Sequence, residues 1–586
     1  MSERTMTEPS EERKLSWADW KFLPLIFLLS MVLNLWGNRW GAPHFWHPDE
    51  IVSRAISMFG NREINPHHFA YGGLHYYTVW AGAIIPVKIY ERFVDPPPAA
   101  IDSQDGRAWF EREKARVIQM ARTLSALMSM LVVGFTFFIG AKLFDKRAGY
   151  LAALFVSVAM AFVAIAHLST VDAPSNFWYW LSCAFALMIW KRGHLKWYVL
   201  AALTAGLAIG VKTDRLMILF PLLLSHFLRH EGLQWRKLLL SAILLKVGFV
   251  IANPTFIIAP FEFLDGYTRD LFFNANRGVP GQTSYWRMME FMQTGLGWPL
   301  FVLALIGLAY ALYQLARRQN TQAIPWLLAT VAPYFIIFGA KSETAPWYLP
   351  FFFPALMIFA AHAVIDLMGA IPKRHAAFAK AAVAIIVVYS FLNCVALVLQ
   401  FSNESRYLAG EWIEKNVPAN ATIQMLARGP VLTPGKYQII NPPPDKEFYD
   451  FARGWAENLA RDQTYQKIRQ AILDLEKWLG GFGMPVREKP YQAWFDLSFA
   501  MYEDKPANGL PTADTLKTPE PDYILLIEDL QFNTLKQLKE PGSGYQLAAQ
   551  FRYVNRLGVQ PFFEFVNPPV YVFERREGTS NRESEN

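Results

Sequence analysis

GGLHYYTVWAGAIIPVKIYERF (residues 72–93) is long enough to cross a bilayer, and whether it does decides the topology of the chain. Upstream, FWHPDE (Phe45–Glu50) follows an apolar run that begins near Phe22. Downstream, HLSTVDAPSNFW (His167–Trp178) sits between two further apolar runs. If 72–93 spans, Asp49 and Asp172 fall on opposite faces and the later basic loops no longer alternate. If it lies along the interface, every later loop falls into place. Its aromatic residues, Pro86, and Lys88, Glu91 and Arg92 at one end favour the interfacial reading.

A span needs roughly 20 apolar residues. Candidate spans lie near 22–40, 117–141, 149–166, 176–190, 197–211, 214–229, 238–259, 297–315, 323–340, 347–368 and 378–400, about eleven in all. Those at 176–190, 197–211 and 214–229 are short, as helices lining a cavity often are. Basic residues cluster in alternate loops: Lys142, Lys146 and Arg147; Lys191, Arg192 and Lys196; Arg229, Arg236 and Lys237; Arg317 and Arg318; Lys373 and Arg374. That alternation puts those loops and the N-terminus inside and the C-terminal region outside. Trp36, Asn38, Arg39 and Trp40 follow the first run where a signal peptide would show small residues, so the first span is expected to stay uncleaved.

The predicted architecture is a polytopic α-helical membrane protein with a C-terminal soluble α/β domain. Residues 1–21 form a cytoplasmic tail, 22–400 the transmembrane domain with a large first outer loop at 41–116, and 401–586 a periplasmic domain. Composition agrees. Of 586 residues 53% are hydrophobic and only 18% charged, against about 25% charged in soluble domains. The net charge of +7 resides in short loops between apolar runs, which is a topology signal and not a nucleic-acid footprint. Cys183 and Cys394 both lie in apolar runs, so neither a disulfide nor a cysteine metal site is expected.

On this map the outer face collects FWHPDE, NPHHFAYGG (Asn65–Gly73), the His167–Trp178 stretch, GVKTDR (Gly210–Arg215), a long loop at about 261–296, and AKSETAPWYLP (Ala340–Pro350). Ionisable groups at membrane depth are costly and mark function by default. Asp49 and Glu50 also suit a helix start, where acids offset the dipole. Asp172 on the same face, with Arg122, Lys212 and Lys341 at the ends of other spans, turns the reading toward chemistry. Acids would act as base or metal ligand, and cations would neutralise a leaving phosphate on a lipid-tailed substrate. Tyr348 is a neighbour for that phosphate, and His47, Arg54, His68 and His167 are candidates to line the cavity or meet an acceptor. Taken singly, most of these histidines suit interfacial hydrogen bonding equally well. Neither HxH nor HExxH occurs, so zinc is not indicated. Asp49 and Asp172 would be the ligands of a Mg²⁺ or Mn²⁺ ion if one is used, because hard cations prefer carboxylate oxygen.

The acidic pair after the first span, HLSTVDAP, the lysine after AGLAIGV and the WYLPFFFPAL run together resemble the GT-C membrane glycosyltransferases. The polyprenyl-phosphate-sugar-dependent members are most similar, among them the protein O-mannosyltransferases and the aminoarabinose transferases of lipid A. The resemblance covers roughly residues 20–425 and rests on the order of short motifs. It implies a sugar carried on a polyprenyl phosphate or pyrophosphate, used on the outer face, and transferred with inversion. It implies Asp49 as the first-loop catalytic acid, with Glu50 as the second letter of the pair and Asp172 as the second outer acid. Arg122, Lys212 and Lys341 become candidates for the donor phosphate. The extra loop domain of the protein mannosyltransferases is not seen, which leaves the acceptor open among protein, glycolipid and cell-wall polymer.

The C-terminal region shows helix-like stretches at 404–417 and 446–480, strand-like DYILLIE, FFEFV and VYVFER, and the joint NPPPDK. It carries neither a nucleophile motif nor a phosphate loop. A secondary transporter and a flippase or ligase of lipid-linked glycans are the rival readings. Transporters place their charges near the midplane, and here the charges collect at one face. Asn403 and Asn420 lie in N-glycosylation sequons that matter only in a eukaryote. The lack of paired cysteines or an endoplasmic-reticulum retrieval signal fits a bacterial inner membrane.

Overall fold

Apolar runs fold as helices in a bilayer because a helix satisfies its own backbone groups. The computed structural model follows that rule and describes residues 20–47, 49–101, 103–229, 232–276, 281–341, 343–425, 429–440, 457–482, 484–487, 521–527, 532–540, 542–554, 559, 562 and 566–576. Four described helices are long and apolar enough to cross a membrane: Asp105–Leu143, Trp298–Ala316, Pro346–Ala370 and Lys373–Asn416. The pair Lys146–Ser157 and Met160–Ala166, bent by 62° at its break, makes a fifth if counted as one span. The chain is a multi-pass membrane protein, but the expected eleven full-length spans are not what the described helices show. Several of the apolar runs are shorter or broken helices, such as Leu23–Leu35, Leu195–Val211 and the pair Ala323–Ala329 and Ala332–Gly339.

Local chemistry sets many of the boundaries. Ser103 and Asp145 cap the helices that follow them by accepting from Gly106 N and Ala148 N. The left-handed Gly193 ends Asp172–Arg192. Helices Leu195–Val211 and Trp235–Ala252 approach so closely that a Cβ on Gly206 would lie 2.1 Å from Leu245 O. Small residues at such a crossing replace the hydrophobic drive that lipid removes. The stretch 72–93 is an unbroken helical run of three parts, Gly73–Val79, a π turn Trp80–Ile84 and Ile85–Phe93, and it is not among the helices apolar enough to span. The stretch expected as a long outer loop at 261–296 holds two helices, Pro260–Ala275 and Tyr285–Leu296, neither of them among the helices long and apolar enough to span.

Beyond Ser402 the chain builds a five-stranded sheet in the order β2-β1-β3-β5-β4. The strands are β1 (Thr422–Met425), β2 (Gln438–Ile440), β3 (Tyr523–Ile527), β4 (Tyr545–Phe551) and β5 (Val570–Arg575). β1 runs parallel to β2 and β3, and β5 antiparallel to β3 and β4. The period of two in β3 splits its side chains. Tyr523, Leu525 and Ile527 pack with Ala409 and Ile413 of helix Ser405–Asn416, while Ile524 and Leu526 pack with Leu535 of helix Phe532–Lys539. The helix expected at 446–480 is Gln463–Gly480 in its described part. Residues 446–456, the joint NPPPDK and most of FFEFV lie outside the described residues.

Several contacts fasten this part to the membrane helices. Arg406 stacks over Trp46 at 3.9 Å, Trp46 Nε1 donates to Gly429 O at 3.0 Å, and Gly41 N donates to the Tyr407 hydroxyl at 2.7 Å.

Candidate active site

The loop that carries His67 to Tyr71 is pinned at its end by two glycines. Gly72 N donates to Val211 O at 3.1 Å, and Gly73 N donates to Asn253 Oδ1 at 2.9 Å. A Cβ on Gly72 would sit 1.4 Å from Gly210 O, so only glycine lets the two backbones meet here. The partner strand in this contact is the end of helix Leu195–Val211, which breaks at Lys212 into extended backbone. The close approach therefore brings Tyr71 and Lys212 into one region.

Lys212 Nζ donates to Asp172 Oδ1 at 2.7 Å, lies 3.9 Å from Asp214, and stands over the Tyr348 ring at 4.2 Å. Asp172 opens helix Asp172–Arg192 and takes Thr170 Oγ1 on its other oxygen at 3.0 Å. Asp214 pairs with Arg215 at 3.1 Å and accepts from the Tyr334 hydroxyl at 3.3 Å. Asp49 enters from the first loop, where its N–H donates to His47 Nδ1 at 3.1 Å. Tyr71 turns its hydroxyl to the Asp49 carboxylate. Burial first, then Asp49, Tyr348 and Asp172, hold that hydroxyl far above its ordinary pKa, so it serves as a donor. Asp49 makes no ion pair among the described residues.

His68 borders Tyr71 at 5.6 Å between rings and shares a hydrogen bond of 3.1 Å with the Tyr76 hydroxyl. Burial and the nearby Arg54 push it down to about 4, so it is neutral at ordinary pH. Arg54 donates to Pro66 O at 2.7 Å and braces this loop. His47 is buried with its ring edge-on to Trp347. Lys341 lies at the base of the segment that leads into Pro346–Phe352. It is half-buried over Phe338 at 5.6 Å, and burial lowers its pKa. No carboxylate pairs with Lys341 among the described residues.

Three sequence expectations need correction. Glu50 does not face the Asp49 group but is locked to Arg122 by two bonds, Nε to Oε1 at 2.7 Å and Nη2 to Oε2 at 2.8 Å, and it also accepts from Ser169 N at 3.0 Å. Burial pushes the Glu50 carboxyl up, but the Arg122 guanidinium and the Ser169 N–H more than offset this and hold it below the usual carboxylate range. Arg122 is fully buried and gives its remaining Nη1 to Asn38 O and Trp40 O, which leaves no face for a phosphate. His167 is also fully buried; its ring nitrogens lie 2.8 Å from Val163 O and Trp36 O, and it stacks on Phe401. It tethers two helix ends and lines nothing.

The metal expectation meets a poor donor set. Asp172 has one oxygen on Lys212 and the other on Thr170. Among the described residues no three His, Cys, Asp or Glu side chains are grouped to hold an ion. Mg²⁺ is commonly held by one or two carboxylates together with water and substrate phosphate. With both Asp172 oxygens engaged, the Asp49–Asp172 pair is not arranged as that ligand set in this structure, and no step is derived through a metal. Sequence reading singled out neither Tyr71 nor Asp214 as site residues. The Gly-Gly after Tyr71 is the signal that points to it, since paired glycines mark a close backbone approach.

Residues 115–258 match the family model described as dolichyl-phosphate-mannose-protein mannosyltransferase. No curated protein sequence matches the chain. Among solved structures, ArnT from Cupriavidus metallidurans in the apo state is similar at 14% identity and a TM-score of 0.48, covering 95% of this chain and 98% of that one. The Archaeoglobus fulgidus oligosaccharyltransferase in the apo form is similar at 15% identity and a TM-score of 0.46, covering 76% and 69%. The arabinofuranosyltransferase AftD from Mycobacteria is similar at 12% identity and a TM-score of 0.42, covering 96% and 40%. Over residues 115–258, which carry Asp172 and Lys212, the resemblance to the GT-C membrane glycosyltransferases stands on a family match.

Proposed function

We propose that the chain transfers a sugar from a polyprenyl-phosphate donor to an acceptor hydroxyl at the outer face of a bacterial cytoplasmic membrane, with Asp49 as the base. The observation that carries this reading is the state of Asp49. It is an acid without an ion-pair partner among the described residues, fed by the Tyr71 hydroxyl and set beside the Asp172–Lys212 pair. An acid already held by a cation is a poor base, because the cation stabilises the carboxylate. Asp49 is not held in this way.

In the reaction, the acceptor oxygen attacks the anomeric carbon as its proton passes to the Asp49 carboxylate. The bond from that carbon to the phosphate oxygen breaks, and polyprenyl phosphate leaves with the electron pair. Single displacement inverts the anomeric centre. Lys341 and Tyr348 hold the donor phosphate, and Lys212 meets the charge that develops on it as its hold on Asp172 loosens. Sugar, lipid length and acceptor stay open in this proposal. The region after Ser402 would lie on the same outer side.

The test uses membranes that contain wild type or Asp49→Asn and a panel of radiolabelled polyprenyl-phosphate sugars, with release of polyprenyl phosphate as the readout. Turnover by wild type, and a loss of about 10²- to 10⁴-fold in a folded Asp49→Asn, is the expected result. Equal turnover by both would remove Asp49 from the chemistry. No turnover of any donor would turn attention to transport.

A further inference from the structure

Helix Gln463–Gly480 has one docked face and one apolar face that has no partner among the described residues. Its docked face is Tyr465, Arg469 and Glu476, set one or two turns apart. Tyr465 packs on Phe272 at 5.8 Å between rings, and Asp462 accepts from Asn276 Nδ2 at 2.8 Å. Arg469 reaches Asp265 at 3.2 Å, and Arg487 bridges Asp265 and Glu476 at 3.1 and 2.7 Å. Asp265 and Glu476 are both buried, so this clamp fixes the helix against Pro260–Ala275.

The second face is Ile468, Ala471, Leu475, Trp478 and Phe482. Their spacing of three and four residues makes one stripe along the helix and the turn that ends it. All are exposed, Trp478 at 60% and Phe482 at 72%, and Met484 and Val486 extend the patch. Lys467 and Asp474 flank the stripe, and Gln470 and Lys477 lie farther round the helix on its polar side.

The register of the clamp says where the stripe leads. Asp462 meets Asn276, Tyr465 meets Phe272, and Arg469 meets Asp265, so the two helices run antiparallel. The Trp478–Phe482 end therefore runs toward the start of Pro260–Ala275. Immediately before that start stand Ile257 and Ile258, 68% and 60% exposed, after the apolar helix Trp235–Ala252 with Ile251 also exposed. Exposed isoleucines at the end of an apolar helix and on the short helix Thr255–Ile258 that follows are what a lipid-facing surface would present. The stripe thus runs toward an exposed apolar surface, and it presents Trp and Phe with lysine alongside, as interfacial helices do.

We infer that helix Gln463–Gly480 and the turn through Phe482 rest on the bilayer surface, with the Ile468–Phe482 stripe in the headgroup and upper acyl region. This makes the C-terminal part a second membrane contact beside the spanning helices, and it does not depend on the glycosyl-transfer reading.

The test places an environment-sensitive fluorophore at Ala471→Cys, Leu475→Cys or Trp478→Cys, and at Gln470→Cys or Lys477→Cys as polar-face references. The native Cys183 and Cys394 are buried, and the unsubstituted chain reports their residual labelling. Each full-length variant that elutes as a folded species is placed in phosphatidylcholine nanodiscs. Quenching is then read with a lipid that carries a spin label high on its acyl chain, and separately with iodide. Lipid quenching several-fold stronger at 471, 475 and 478 than at 470 and 477, with iodide showing the reverse order, is the expected result. Equal iodide access on both faces overturns the inference, because the stripe then sits in water. Protection of the stripe from both quenchers also overturns it, because protein then covers the stripe.

Discussion

Glu50→Gln should unfold the protein before it slows it, and the neighbouring Asp49→Asn should do the opposite. The Glu50 carboxylate accepts two bonds from the Arg122 guanidinium and one from Ser169 N, in a setting where Arg122 has no exposed surface. An amide at position 50 can accept through one oxygen only. Its NH₂ would face a guanidinium N–H, donor against donor. A charge-assisted bond of this kind is worth about 1.5–3 kcal/mol, and removing one partner of a buried pair costs about 3–5 kcal/mol because the other charge stays buried. At 1.4 kcal/mol per tenfold, the opened form gains roughly a hundred- to a few-thousand-fold in population. Fluorescence-detected size-exclusion after a heating series in detergent reads this as a lower melting midpoint. Arg122→Met alone should also melt early. The double variant should melt above Glu50→Gln, since no uncompensated guanidinium remains in it. Asp49→Asn should melt with wild type and lose turnover. If Glu50→Gln instead melts with wild type and loses turnover as fully as Asp49→Asn, the pair is not structural and the division between the two acids is wrong.

The other expectations are simpler to state. Gly72→Ala drives a Cβ into Gly210 O, so the loop must move away. The folded yield should fall, and any folded remainder should lose turnover because Tyr71 and Lys212 have moved apart. Lys341→Met should lower kcat/KM for the lipid donor by about 10- to 150-fold, the worth of a charge-assisted bond, with the melting midpoint unchanged. His67 lies between Glu262 at 2.5 Å and Glu63 at 2.7 Å; burial lowers its pKa, but the two carboxylates outweigh this and raise it. A raised histidine stabilises fully below its unfolded value of about 6.5 and loses that contribution as pH rises through the folded value. The midpoint should therefore fall above about pH 6.5 in wild type more than in Glu262→Gln. The shift should be small, since His67 is half-exposed.

Hydropathy located most of the helices, because a long apolar run has few other fates in a bilayer. It could not see where they break. The bend between Ser157 and Met160, the 3-10 turn Thr213–Ile218 after Lys212, and the two helices within 261–296 depend on what packs against them. Asp49 and Glu50 are adjacent and chemically alike, so sequence cannot divide their roles. The division comes from Arg122, 72 residues from Glu50, whose guanidinium takes one carboxylate and leaves the other. His167 misled for a related reason, since a polar residue in an apolar context reads as functional until both ring nitrogens are found on carbonyl oxygens. Asp172 and Lys212 were each legible from sequence, but their 2.7 Å bond was not.

That bond orders the roles of the charged groups. Glu50 is paired with Arg122, Asp172 with Lys212, and Asp214 with Arg215. Among the described site residues Asp49, Lys341 and Arg54 have no carboxylate or cation partner of this kind, and Arg54 is taken up by Pro66 O. A phosphate that arrives at Lys212 must compete with Asp172, while at Lys341 it displaces only water and an aromatic contact. On the proposed reaction Lys341 therefore binds the ground-state phosphate. Lys212 contributes most as negative charge grows on the leaving group and outbids Asp172. An interaction that strengthens on the way to the transition state raises kcat, and one already present in the ground state lowers KM. Lys341→Met should thus act chiefly on KM and Lys212→Met chiefly on kcat. A reversal of that split in steady-state kinetics would place the resting phosphate at Lys212 and remove Asp172 from its restraining role.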